Sequence, residues 1–160
     1  MADGYIKDEH GNFIQYPNEE AIANHKYLTT NGNTEDGDGW RFAGRGLFHT
    51  TGRYNYNRLT RLHQRIFGEF QDFEDQPQLL EEPKYAVRSA VVFWLDHGLD
   101  DLAKGGLNYE TFNSIRKIIN PGESTDRKQA QWNLIQSLSD SNVFNQVCEF
   151  SVNSPSFGAE

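Results

Sequence analysis

Hydrophobic positions change period several times along the chain, and each change marks an element. Tyr5 and Ile6 are answered by Phe13, Ile14 and Tyr16 across the turn signal His10-Gly11-Asn12, so residues 1–17 are predicted to form a hairpin or irregular arm. Asn18 followed by two acids predicts a capped helix from Glu19 to about Leu28. Residues 29–38 are dense in Thr, Asn, Gly and Asp and read as a loop. Helical spacing returns at Leu59, Leu62 and Ile66, which predicts a helix from near Thr51 to about Phe67. Followed back by four and then eight residues from Leu59, its inward face reaches Asn55 and Thr51, so that face starts polar and turns apolar. Two readings fit. Either the first turn lines a cleft, or Thr51 is a helix N-cap and Asn55 a satisfied buried amide.

Residues 68–83 are acidic and broken by Pro77 and Pro83, which predicts a loop with at most a short turn. Pro83 suits the first position of a helix. The run Lys84–His97 is apolar nearly all round, so this helix is expected to be buried on most sides and to form the core, stopping at Gly98. Its charges Arg88 and Asp96 are expected on the solvent edge. Leu99–Lys104 reads as a helical turn ending at Gly105-Gly106. Asn108 can cap a helix Tyr109–Ile119 that buries Phe112, Ile115 and Ile119 and stops at Asn120-Pro121-Gly122. A further helix is expected from Thr125 or Asp126 to about Leu138, with Trp132, Ile135 and Leu138 facing inward. A last helix over 142–150 and a disordered tail over 151–160 complete the pattern. The expected organisation is an arm (1–17), one helical domain (18–150) and the tail, and the fold class is mainly α.

Composition narrows the class. A chain of 160 residues with 36% apolar and 13% aromatic residues suffices for a single core. No apolar run approaches the roughly 18 residues of a membrane span, so no membrane partner is expected. The N-terminus has neither a basic nor an apolar leader region. The expectation is cytoplasmic synthesis, with release by lysis or a dedicated export route to the cell wall. Cys148 is the single cysteine, which excludes an internal disulfide and a cysteine-based metal site. His10, His25, His49, His63 and His97 are scattered without metal-ligand spacing, and no metal or cofactor is expected. The net charge of −8 argues against a nucleic-acid partner, and it is unfavourable toward an anionic cell wall. The charge is segregated, however. Between Gly39 and Gly68 stand six arginines, two histidines and no carboxylate, so the arginines are expected to face an anionic or polar polymer.

The segment Gly37–Tyr56, GDGWRFAGRGLFHTTGRYNY, combines recurrent glycines, interleaved aromatics and small polar residues. A ligand groove needs this mixture: exposed backbone, flat apolar surfaces and a few fixed hydrogen-bonding groups. It resembles the signature of the family 19 glycoside hydrolases, the chitinases and related endolysins, with GDG, GRG and NY in register. A second run, PKYAVRSAVVFWLDHGL at 83–99, resembles that family's PEYAxRSAxxFWxxxGL. The resemblance covers about residues 20–138 and implies a lysozyme-like helical domain acting on β-1,4-linked N-acetylglucosamine polymers, either peptidoglycan or chitin, by inversion.

On the same resemblance Thr51 aligns with the residue holding the catalytic water or the sugar. Asn55 and Asn120 align with sugar-binding asparagines, and Arg127 with the arginine that pairs with the catalytic acid. Trp40 and Arg45 fall on the substrate side. His49 replaces a glutamine that contacts the N-acetyl group; an imidazole cannot reproduce an amide's paired donor and acceptor. Inversion needs an acid and a base roughly 6.5–9.5 Å apart. The family's acid comes from a helix upstream of GDG that this chain does not show. Glu9, in a stretch that faintly echoes Glu-Ser-Gly-Gly-Phe, and Glu20 are the candidates. The alternatives are a catalytically inactive domain that binds glycan or a protein partner (immunity or scaffold), and a phage or secretion-system component using the lysozyme-like fold.

Overall fold

Asn18 caps the first helix as its position predicts, its side chain accepting the Ala21 N–H at 3.0 Å. In the computed structural model, which describes residues 5–141, that helix (α1, Glu19–Tyr27) follows an antiparallel pair of strands, β1 (Tyr5–Lys7) and β2 (Phe13–Pro17). Then come α2 (Asp38–Arg41), α3 (Arg53–Phe67), a 3₁₀ turn Pro77–Glu81, α4 (Pro83–Asp96), α5 (Leu99–Ala103), α6 (Tyr109–Ile119) and α7 (Thr125–Asp140). The chain is mainly α, consistent with a lysozyme-like helical class. The helix expected over 142–150, with Cys148, and the tail lie outside the described residues. Contacts divide the chain into two units, one ending at Gly98 and one starting at Leu99.

The first unit is built on α3 and α4. Its core is Phe42, Tyr56, Leu59, Phe73, Leu80, Tyr85 and Val92, with Leu62, Ile66, Phe67 and Leu79 packed against it. Phe73 and Leu80 come from the segment read as loop. Each large apolar side chain removed from water stabilises by about 1.5–3 kcal/mol, so two such residues fix the course of the segment. Thr60 pins it as well, accepting the Phe73 N–H at 2.9 Å.

The expectation for α4 is corrected. Its buried residues are Tyr85, Ser89 and Val92, whereas Val87, Val91 and Leu95 are 53%, 39% and 44% exposed. The helix therefore buries one stripe and leaves a second apolar stripe open. Arg88 and Asp96 are not free edge charges. Arg88 donates to Glu69 at 2.7 Å, and Asp96 accepts from Arg58 at 2.8 and 2.5 Å.

α3 starts at Arg53, two residues later than its apolar pattern suggests, and Gly52 rather than Thr51 is its N-cap. Gly52 has no side chain to cap with, so the preceding loop does so. Asn33 Oδ1 accepts the Arg53 N–H at 2.9 Å and the Asn31 carbonyl accepts the Tyr54 N–H at 3.0 Å. The loop can come this close only because Gly52, at φ +88, has no Cβ; one would stand 2.3 Å from Asn31 Cβ.

In the second unit Asn108 caps α6, accepting the Thr111 N–H at 2.9 Å. Tyr109 and Phe112 of α6 meet Trp132 of α7 at ring separations of 5.9 and 5.4 Å. Ser124 supplies the α7 cap. Trp132 is buried, Ile135 is half-buried, and Leu138 is 36% exposed, so the expected inward face fades toward the end of α7.

Gly68, the C-cap of α3, also has positive φ but has nothing near its Cβ position. Gly68→Ala is expected to cost about 1 kcal/mol, the left-handed penalty alone. Gly52→Ala adds a backbone collision and is expected to cost roughly 3 kcal/mol or more. Urea unfolding midpoints of the two variants check the order.

Candidate functional site

The glycine-rich segment folds as a short helix, a tight hairpin and the start of α3. After α2 the chain turns at Ala43-Gly44, and Arg45 pairs with Thr50 through reciprocal backbone hydrogen bonds of 3.2 and 2.8 Å. Residues 46–49 form the hairpin tip. The tip is seated on α4 twice: Phe48 packs edge-on against Phe93 at 5.1 Å, and Gly46 lies so close to Ser89 that a Cβ would stand 2.6 Å from its hydroxyl. His49 closes the tip in a left-handed conformation, φ +53, which few non-glycine residues adopt. The Thr51 hydroxyl donates to the His49 carbonyl at 2.7 Å and holds that strained residue in place. Asn55, one turn into α3, donates its amide to the Thr51 carbonyl at 2.8 Å.

His49, Thr51 and Asn55 thus form one hydrogen-bonded corner. Its floor is Gly44, where a Cβ would come within 3.1 Å of both His49 Nδ1 and Thr51 Oγ1. Among the described residues, the His49 ring nitrogens and the Asn55 side-chain oxygen have no protein hydrogen-bond partner. His49 is exposed, and Thr51 and Asn55 are half-buried. The corner offers a small set of fixed donors and acceptors next to bare backbone.

Arg45 supports the corner from behind. Its guanidinium donates to Glu81 at 2.9 Å, to the Arg41 and Ala43 carbonyls at 2.8 and 3.3 Å, and to the Tyr56 phenol at 3.3 Å. Tyr56, fully buried, donates its hydroxyl hydrogen to the Ala43 carbonyl at 2.7 Å. Burial holds the Tyr56 phenol above its usual range. Trp40 is 40% exposed; its backbone N–H donates to Asn24 at 2.7 Å.

The remaining candidates stand elsewhere. Glu9 is on the tip between β1 and β2, 86% exposed, with His10 3.6 Å away as its neighbour. Glu20 is exposed in the first turn of α1. Asn120 is the exposed C-cap of α6, and Arg127 is exposed in the first turn of α7. In that unit a different arginine makes the tight pair: Arg116 grips Glu123 at 2.8 and 2.7 Å, and Gln131 joins at 2.9 Å.

The basic stripe is corrected by its partners. Arg41 reaches Asp75 at 4.0 Å, Arg45 meets Glu81, Arg58 meets Asp96, and Arg53 is held by Asp38, Glu35 and Glu74 at 2.7, 3.0 and 3.2 Å. Four of the six arginines are therefore neutralised within the fold rather than turned toward a polymer. The Asp38–Arg53 pair was missed in the sequence. Asp38 is 2% exposed and also accepts the Thr34 and Glu35 N–H groups at 3.0 and 3.1 Å. Burial works against the Asp38 carboxylate, but Arg53 and the two amides outweigh it and hold the acid below its usual range. One signal was readable: α3 opens on an arginine with no acid in its first turn, the wrong charge for a helix N-terminus.

Among the described residues no group of three or more His, Cys, Asp and Glu side chains converges as a metal site, and no helix is long and apolar enough to cross a membrane. No family model matches the chain. It is 33% identical over 101 residues to a protein of Haemophilus influenzae described as a glycosyl hydrolase family 19 domain-containing protein. The match covers 62% of this chain and 42% of that protein, so the chain spans less than half the length of its curated relative.

Asp38→Asn is expected to cost about 2–4 kcal/mol, because it leaves Arg53 short of its buried partner. Since the Asp38 carboxyl is held low in the fold, the native protein should lose this contribution as pH falls below about 4, while the variant has none to lose. Denaturation at neutral and acidic pH measures both.

Proposed function

We propose that the chain is a family 19-like glycoside hydrolase domain that engages β-1,4-linked N-acetylglucosamine polymers, peptidoglycan or chitin. The observation that carries this reading is the His49–Thr51–Asn55 corner. A fold normally satisfies its buried polar groups internally. Here the turn is buttressed by Arg45, Tyr56 and Ser89, while the outward polar atoms of His49 and Asn55 stand open to solvent, where a ligand can meet them. Sugar hydroxyls and acetamide groups are ligands of that kind, neutral and rich in paired donors and acceptors. The similarity to the Haemophilus influenzae protein supports the same direction. Asn120 and Arg127 are carried in this proposal as further glycan-side residues, on family resemblance.

Cutting by inversion also needs a carboxylic acid that keeps its proton near neutral pH. Among the described residues every carboxyl group with a displaced titration, namely Asp8, Asp38, Glu69, Asp96 and Glu123, is displaced toward the ionised form. That observation favours a second reading, in which the described residues bind glycan or a protein partner without cleaving. On the hydrolase reading the acid is Glu9, Glu20 or a group outside the described residues.

The test counts reducing ends released from purified peptidoglycan and from chitin oligomers, and measures oligomer binding in parallel. On the hydrolase reading the chain releases ends, and Glu9→Gln or Glu20→Gln abolishes release if that residue is the acid. On the binding reading all three proteins bind and none cuts. Asn55→Ala is expected to weaken oligomer binding about tenfold, the loss of one to two hydrogen bonds. Neither release nor binding with either polymer discards the glycan assignment.

A further inference from the structure

His63 is a fully enclosed titratable group of the first unit, and the corner described above makes no use of it. It projects from α3 into an aromatic box made by Phe67, Phe73 and Tyr85, at ring separations of 5.0, 5.2 and 5.9 Å, and it has no exposed surface. Its two nitrogens have distinct partners. Nδ1 is 2.9 Å from the Glu69 carbonyl, which can only accept, so Nδ1 carries the hydrogen. Nε2 is then bare, and it faces Arg88 Nη1 of α4 at 3.4 Å. The guanidinium can only donate, so the neutral ring is the acceptor that completes the contact.

The charged and titratable groups around the ring are accounted for on both sides. From α4 come Arg88, Lys84 and the Tyr85 phenol; from the loop after α3 comes Glu69. The Glu69 carboxylate accepts from Lys84 at 2.9 Å, Arg88 at 2.7 Å and Tyr85 at 3.1 Å. Its negative charge is thereby shared among three donors, and the nitrogen of His63 that would take up a proton faces a cation.

We propose that His63 is an acid-sensitive latch between α3 and α4: neutral, it ties the Glu69 loop to Arg88; protonated, it opens that seam. Proton uptake at Nε2 removes the acceptor for Arg88 and sets a second cation beside the guanidinium, on a ring that has no exposed surface. The chain cannot relieve this by rotating the ring, because Nδ1 already carries a hydrogen. The seam must part to hydrate the imidazolium. Arg88 is the immediate neighbour of Ser89, against which Gly46 of the hairpin is seated, so the latch lies beside the support of the 45–50 turn.

The direction of the pH effect follows from which state binds the proton. Burial holds the His63 ring below its usual range in the fold, with Arg88 and Lys84 acting the same way. The unfolded ring keeps an ordinary pKa near 6.5. Stability is therefore complete above about pH 6.5 and is lost progressively as pH falls from there toward the lower value at which the folded ring itself takes the proton. Glu69 contributes separately and lower. Held down to about 2 by Lys84 and Arg88, it protects the fold above its ordinary 4.5 and loses that effect between about 4.5 and 2. A window of about pH 5 to 7 isolates the histidine.

The experiment is urea unfolding of the full chain across that window, followed by backbone amide signals of α3 and α4. The unfolding constant is expected to rise up to about 25-fold between pH 7 and 5, the limit for uptake of one proton. His63→Gln, whose amide can donate to Glu69 and accept from Arg88 without titrating, is expected to flatten the profile. Arg88→Met removes the opposing cation, so the folded ring takes up its proton more readily; it is expected to shrink the loss between pH 7 and 5, and it serves if the glutamine variant does not fold. A wild-type profile flat from pH 7 to 5 would overturn the latch. So would a slope that survives His63→Gln, or a His63 ring that titrates near 6.5 with α3 and α4 signals unchanged.

Discussion

Arg53 is a cation at the end of a helix that repels cations, and the first unit is arranged to answer it. Asp38 is buried directly against the guanidinium, Glu35 and Glu74 close around it, and Asn33 and Asn31 cap the same helix turn from the loop that leads to Asp38. Removing one partner would leave a buried charge uncompensated, a cost larger than the net worth of the pair itself. This explains why the segment needs its glycines. Gly37 and Gly52 both carry positive φ, one entering α2 and the other entering α3, and between them the chain must bring Asp38 and Arg53 face to face. The hairpin with His49 at its tip is the excursion between those two fixed points.

Helix identity was largely legible because apolar spacing and capping residues act locally. Asn18 and Asn108 each cap the helix that follows them, and Pro83 begins α4. What was not legible was burial. The apolar surface of α4 reads as buried on most sides, yet Val87, Val91 and Leu95 stay open, because hydropathy reports what a residue tolerates and not what stands opposite it. The loop before α4 failed in the reverse sense: its acids and prolines hid Phe73 and Leu80, both buried, because periodicity is silent about a residue that reaches the core alone.

The candidate site divides in the same way. The local part of the corner, Thr51 four residues before Asn55 on the turn into α3, was readable as a polar start to an inward face. Neither of the two readings open for Thr51 describes its role fully. It is not the cap, and its hydroxyl fastens the strained carbonyl of His49. Arg45 and its fellow arginines were misjudged because composition reports a run of positive charge and says nothing of acids folded onto it from residues 35–38, 74–81 and 96.

That neutralisation changes what kind of recognition the corner can offer. A chain of net charge −8, with four of its clustered arginines already paired, has little long-range attraction for an anionic polymer. What it presents around Gly44 is short-range: an imidazole, a hydroxyl and an amide held by backbone geometry. Such groups discriminate by direction and spacing, since a misplaced partner leaves them desolvated and unpaired. Under the glycan reading, recognition would therefore come from the hydroxyls and acetamides along the sugar chain. The arginines would act one step removed, by keeping the turn that carries His49 in a conformation it would not hold alone.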